Sequence, residues 1–132
     1  MKRILLDTHI LIWSLESPEM LSANATEQIL DDDTEVFVSQ ASFFEIAIKQ
    51  AIGKITLQRG LAGLIEETNK QSIEILPISD AHLLAYTRLP LHPEHRDPFD
   101  RVIIATAFHE QLEVVTADEK FKLYPSWIKI IW

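Results

Sequence analysis

The chain has 132 residues, 47% hydrophobic and 24% charged, a composition that supports one packed domain over residues 1–132 and excludes a disordered tract. Its 12 basic and 20 acidic residues leave a net charge of −8, which argues against coating nucleic acid by bulk charge but not against reaching a phosphate through bound cations. Cysteine is absent, so disulfides and thiolate metal sites are excluded, and no apolar run approaches the about 18 residues of a membrane span. Met1-Lys2-Arg3 precedes an apolar run, but Asp7 and His9 interrupt it and no small-residue cleavage site follows. The expectation is a soluble cytoplasmic protein.

In chain order, Ile4-Leu5-Leu6 reads as a first buried strand, ending at Asp7. Helical spacing follows over roughly 20–31 and stops at the acidic run Asp31-Asp32-Asp33, a solvated turn. Val36-Phe37-Val38 is a second strand, and the next helix, 42–53, has Gly53 as its C-cap. A helix over 60–71 leads to a third strand at Ile73-Glu74-Ile75-Leu76. Ser79 caps a helix to residue 88, and a loop with two prolines runs from Leu89 to Glu94. Asp97-Pro98 reads as an N-cap followed by proline at the first helical position, opening a helix over 99–111. Val114-Val115 and Ile128-Lys129-Ile130-Ile131 complete the strands. Strands separated by helices of this length predict an α/β fold: three layers, α/β/α, around a central parallel sheet of about five strands.

No glycine-rich phosphate loop, GxGxxG, Walker pattern or serine nucleophile elbow is present. His92, His95 and His109 form at best a weak zinc signal, because a proline interrupts the first two and no cysteine supports them. The candidates for chemistry are therefore carboxylates. In open parallel sheets ligands bind beyond the carboxyl ends of the strands, where Asp7 and Asp118 stand. Each has a structural alternative: Asp7 as the cap of a helix starting Thr8-His9-Ile10, Asp118 as the cap of a short segment Glu119 to Leu123. Asp100 shares a helical stripe with Ile103, Ile104 and Ala107, where a buried carboxylate needs a partner; the alternative is a first-turn acid complementing the helix dipole. Asp97 reads first as the cap and second as an additional acid near a metal. Glu45 is open between a site residue and an exposed i,i+4 pair with Lys49.

Four converging carboxylates require either raised pKa values or bound cations. All-oxygen donors select Mg²⁺ or Mn²⁺, and such an ion at a phosphodiester activates water and offsets charge on the phosphoryl oxygens. Lys49, Arg96, Arg101 and Lys120 would then guide a nucleic-acid strand.

Four segments resemble a known family in order: Leu5-Leu6-Asp7-Thr8-His9-Ile10-Leu11-Ile12-Trp13, Ser42-Phe43-Phe44-Glu45-Ile46-Ala47-Ile48-Lys49, Arg96-Asp97-Pro98-Phe99-Asp100-Arg101-Val102-Ile103-Ile104-Ala105, and Val115-Thr116-Ala117-Asp118. Together they are similar to the PIN domain, and more narrowly to the VapC-type toxin ribonucleases of bacterial toxin–antitoxin pairs. The resemblance implies an endoribonuclease whose acidic quartet, Asp7, Glu45, Asp100 and Asp118, binds Mg²⁺ or Mn²⁺ and presents an activated water to the RNA backbone. It puts Glu45 in the site, and it implies that Thr8, Ser39 and Thr116 hydrogen-bond the acids or such a water. It further implies a homodimer held inactive by a small antitoxin protein. Two other readings stand beside it: an aspartate-nucleophile phosphoryl-transfer enzyme, disfavoured because Asp7-Thr8-His9 lacks a second acid two residues on, and a catalytically silent module that binds RNA or protein.

Overall fold

A computed structural model, describing residues Met1–Trp132, arranges five parallel strands in the order β3-β2-β1-β4-β5. These are β1 (Lys2–Leu6), β2 (Thr34–Ser39), β3 (Glu74–Leu76), β4 (Glu113–Val115) and β5 (Ile130–Ile131). Six helices connect them: α1 (Thr8–Glu16), α2 (Ala23–Leu30), α3 (Gln40–Ala51), α4 (Gly60–Lys70), α5 (Asp80–Arg88) and α6 (Pro98–Glu110).

The two faces of β1 belong to two cores. Ile4 and Leu6 pack with Ile10 of α1, Phe43 and Ile46 of α3 and Leu64 of α4. Leu5 points the other way, to Ala85 of α5 and Ile103 and Ile104 of α6. A central parallel strand covered on both sides is therefore an unbroken apolar run, as Ile4-Leu5-Leu6 is. The crossover rule explains which helix covers which face. The chain steps from β1 through β2 to β3 in one direction, then returns past β1 to β4. Right-handed connections in opposite directions place their helices on opposite faces.

Local chemistry sets the helix ends. Ser22 Oγ accepts from Ala25 N at 3.0 Å, so α2 begins at Ala23, and Pro18–Met20 forms a separate 3-10 turn. Ser39 Oγ accepts from Ala41 N at 3.0 Å, which starts α3 at residue 40 and not at the expected 42. α1 is not among the helices expected from spacing; the sequence suggests it only through Asp7 as a possible cap. The run Thr8-His9-Ile10-Leu11-Ile12-Trp13 is apolar enough that a continuing strand and a buried helix look alike. No helix is long and apolar enough to cross a membrane.

Candidate active site

The sheet reverses its strand order between β1 and β4, and there the ends of two neighbouring parallel strands open a crevice. Leu6 lies opposite Val115, and Asp7 N donates to Val115 O at 3.1 Å, so Asp7 and Asp118 leave adjacent strands side by side. α3, starting directly after β2, brings Glu45 to the same edge, and the N-terminus of α6 brings Asp97 and Asp100. All five acids, with His9, Trp13 and Lys49, line one cavity of about 360 Å³. A larger cavity, about 620 Å³, lies between Ile29, Asp31, Glu35 and Glu67. It gathers no buried carboxylate, so the chemistry points to the smaller one.

Each acid is held by a specific partner. Asp7 Oδ1 accepts from His9 N at 2.8 Å, and its Oδ2 accepts from Thr116 Oγ1 at 2.5 Å. Asp118 Oδ1 accepts from Lys120 N at 2.9 Å, capping the 3-10 turn Glu119–Leu123, while Asp118 N donates to Thr116 Oγ1 at 3.1 Å. Asp97 Oδ1 accepts from Phe99 N at 2.8 Å and Asp100 N at 3.2 Å. For Asp7, Asp97 and Asp118, capping a helix and lining the cavity are thus one arrangement: Asp7 and Asp118 cap turns that follow the ends of β1 and β4, and Asp97 caps α6, whose N-terminus reaches the same crevice. Glu45 is 3% exposed; its Oε2 accepts from Lys49 Nζ at 2.7 Å, and its Oε1 is buried with no hydrogen-bond partner. The i,i+4 pair with Lys49 exists, but with a buried acid.

The other expected contacts divide. Thr116 touches two of the acids. Thr8 Oγ1 instead donates to Ser42 Oγ at 2.9 Å, tying α1 to α3, and the Ser39 hydroxyl is used as the α3 cap. Arg101 does not stand free to guide a strand: it is 4% exposed, with Nη1 donating to Pro90 O and Tyr124 Oη. His109 lies at the far end of α6 beside His82, with ring centroids 5.8 Å apart, away from His92 and His95.

Spacing along the chain offers His95 only as a weak zinc candidate; the structure puts it instead against Asp100. It is 3% exposed, with Nε2 3.1 Å from Asp100 Oδ2 and Nδ1 2.9 Å from Tyr124 Oη. Its position comes from a tight turn in which His95 N donates to His92 O at 3.0 Å, with Pro93 presetting the bend. The signal in the sequence that points toward the acids is a histidine just ahead of the Asp97 cap.

The electrostatics follow from crowding. Burial, then the negative charges of Asp97, Asp7, Glu45 and Asp118, push the Asp100 carboxyl up to about 8. Burial also raises Asp7, against the opposing hydrogen bond from Thr116. The hydrogen bond to Glu45 holds the Lys49 ammonium above its ordinary value, and burial lowers His95. A set of hard oxygen donors with one buried, unpartnered carboxylate oxygen matches what a hard divalent cation requires. No three of the acidic or histidine side chains are grouped closely enough to enclose an ion directly. Mg²⁺, which keeps several waters, needs only one or two direct carboxylates.

Comparison with known proteins gives a consistent picture. The family described as PIN domain matches residues 4–125. Ribonuclease VapC22 of Mycobacterium tuberculosis is 28% identical over 122 residues, 92% of each chain. A chain of VapBC2 from Rickettsia felis, solved bound to a DNA fragment from the promoter, aligns with a TM-score of 0.72 at 18% identity, covering 98% of this chain and 99% of that one. A chain of VapBC-5 from Mycobacterium tuberculosis, a member of the VapBC family of toxin–antitoxin systems, aligns with a TM-score of 0.64 at 18% identity, covering 98% and 96%.

Proposed function

The chain belongs to the PIN domain family, and from that membership together with its acidic cavity we propose that it is a metal-dependent endoribonuclease of the VapC toxin type, a single PIN domain over residues 1–132. The observation that carries the reading is that Asp7, Glu45, Asp100 and Asp118, from four separate segments, line one cavity at the reversal point of the sheet. In this reading the four are the catalytic and metal-binding acids, and Asp97 adds negative charge beside them while capping α6.

When bound, Mg²⁺ or Mn²⁺ makes a water acidic enough to attack phosphorus and offsets charge building on the phosphodiester oxygens. The chain's own residues prepare that chemistry. Thr116 and the His9 amide fix both oxygens of Asp7, so its carboxylate loses little freedom on taking up an ion. Lys49 neutralises Glu45 and stands in the cavity as a donor for a phosphate oxygen. RNA is the substrate class, since the relative VapC22 is a ribonuclease. The likeness to VapBC-5, a member of a family of toxin–antitoxin systems, supports an antitoxin partner; an antitoxin that covers the acidic cavity and a cytoplasmic homodimer belong to the same proposal.

The test is incubation of the purified chain, freed of any partner, with total cellular RNA in Mg²⁺, in Mn²⁺ and in chelator. Discrete fragments form only with metal, and Asp7→Asn lowers the rate by about 10²-fold or more. Equal cleavage in chelator or by the variant would sink the proposal. Tight RNA binding in chelator without cleavage in metal would mark a binding module instead.

A further inference from the structure

The hydrogen bonds behind Asp100 have a direction, and it starts from a charge. Arg101 is 4% exposed and forms no ion pair within 4.0 Å; its Nη1 donates to Tyr124 Oη at 3.0 Å. Guanidinium is a donor only, so the Tyr124 oxygen accepts there and its proton must go elsewhere. The only other hydrogen-bond partner of that hydroxyl is His95 Nδ1, at 2.9 Å. Nδ1 is therefore the acceptor, and the ring carries its proton on Nε2, which faces Asp100 Oδ2 at 3.1 Å. The opposite direction, with Asp100 donating to His95 and His95 to Tyr124, would leave the buried Tyr124 hydroxyl proton without an acceptor. Tyr124 is fully buried and His95 nearly so, so no solvent competes for these bonds.

We infer that Arg101, Tyr124 and His95 form a one-way donor chain whose end, His95 Nε2–H, positions Asp100 for metal binding by occupying Oδ2 and leaving Oδ1 without a protein partner. His95 is thus a positioning residue, acting on the ion through Asp100 as outer partners of metal ligands do. The inference rests on the functional reading above, in which Asp100 is a ligand. It goes further by assigning a task to three residues outside the acidic quartet.

Two measurements test it. Long-range ¹⁵N–¹H correlation spectra of the metal-free protein report the His95 tautomer directly, and the Nε2–H form is expected. Mn²⁺ titration followed by electron paramagnetic resonance then compares the unmodified chain with Tyr124→Phe, His95→Leu and His95→Gln. Tyr124→Phe and His95→Leu weaken Mn²⁺ binding by about 10-fold or more. His95→Gln retains most of the affinity, because its amide accepts through oxygen and donates through nitrogen in place of the ring. A merely structural role for His95 would not be rescued by glutamine in ion affinity. An Nδ1–H tautomer, or unchanged affinity in all variants, would overturn the donor chain and leave the ribonuclease reading standing. Failure of the unmodified chain to bind Mn²⁺ would overturn both.

Discussion

The Asp100 side chain is 17% exposed and faces four other carboxylates, so burial and like charge both oppose its ionisation. Its pKa near 8 in the fold stands far above the about 3.9 of an unfolded aspartate. Between those values the folded chain holds more protons than the unfolded one, so this group makes stability fall as pH rises toward 8. Asp100→Asn removes that dependence. In chelator, the Tm of the variant relative to the unmodified protein should climb from pH 5 to pH 8, measured by calorimetry. A constant difference would show that the carboxyl is not held neutral. Glu45 is a second case in which one side chain meets two descriptions. It pairs with Lys49 at i,i+4, as surface helices do, yet its Oε1 is buried and unpaired. Spacing showed the pair; only the position of α3 against the sheet edge showed the burial.

At the scale of the helices, caps do double duty. α1, α6 and the 3-10 turn after β4 all begin with an aspartate accepting backbone N–H bonds, and those same aspartates line the cavity. Helix N-termini favour negative charge, so the termini offset part of the cost of gathering acids. α3 ends differently. Gly53 has φ +76°, and Lys54 N donates to Lys49 O at 2.8 Å, closing the last turn next to the residue that holds Glu45. A methyl at Gly53 would meet no atom within 4 Å, so only backbone strain opposes it. Gly53→Ala should cost about 1–2 kcal/mol in urea denaturation, without loss of Mn²⁺ binding. In the core, Ile103 is fully buried on the sheet-facing side of α6, and Ile103→Ala should cost about 2–5 kcal/mol by the same measurement. A loss under 1 kcal/mol would mean that α6 is not anchored there.

Across the whole molecule, a net charge of −8 repels polyanions, and the acidic cavity concentrates that repulsion where the proposed function requires a phosphodiester to bind. Divalent ions should therefore stabilise the fold as well as support cleavage. With Mg²⁺ at 100 times its dissociation constant, the gain is about 2.7 kcal/mol, visible as a raised Tm that Asp7→Asn abolishes. A rise of equal size in the variant would place the ion elsewhere.

The α/β class, the strands and most helices were legible because burial on both faces demands unbroken apolar runs between helical stripes, and such patterns are local. The four acids were legible as candidates, since carboxylates at strand ends and on apolar stripes stand out. Their convergence was expected only through the family resemblance and not from spacing, because it depends on β1 lying beside β4, a pairing of residues more than a hundred positions apart. Among the partners that hold the acids, Thr116 was expected only through the resemblance and the contact of His95 with Asp100 not at all, for the same reason. Thr116 meets Asp7, and Tyr124 meets His95, only after crossovers have stacked distant segments, and no residue spacing encodes a contact that the fold creates.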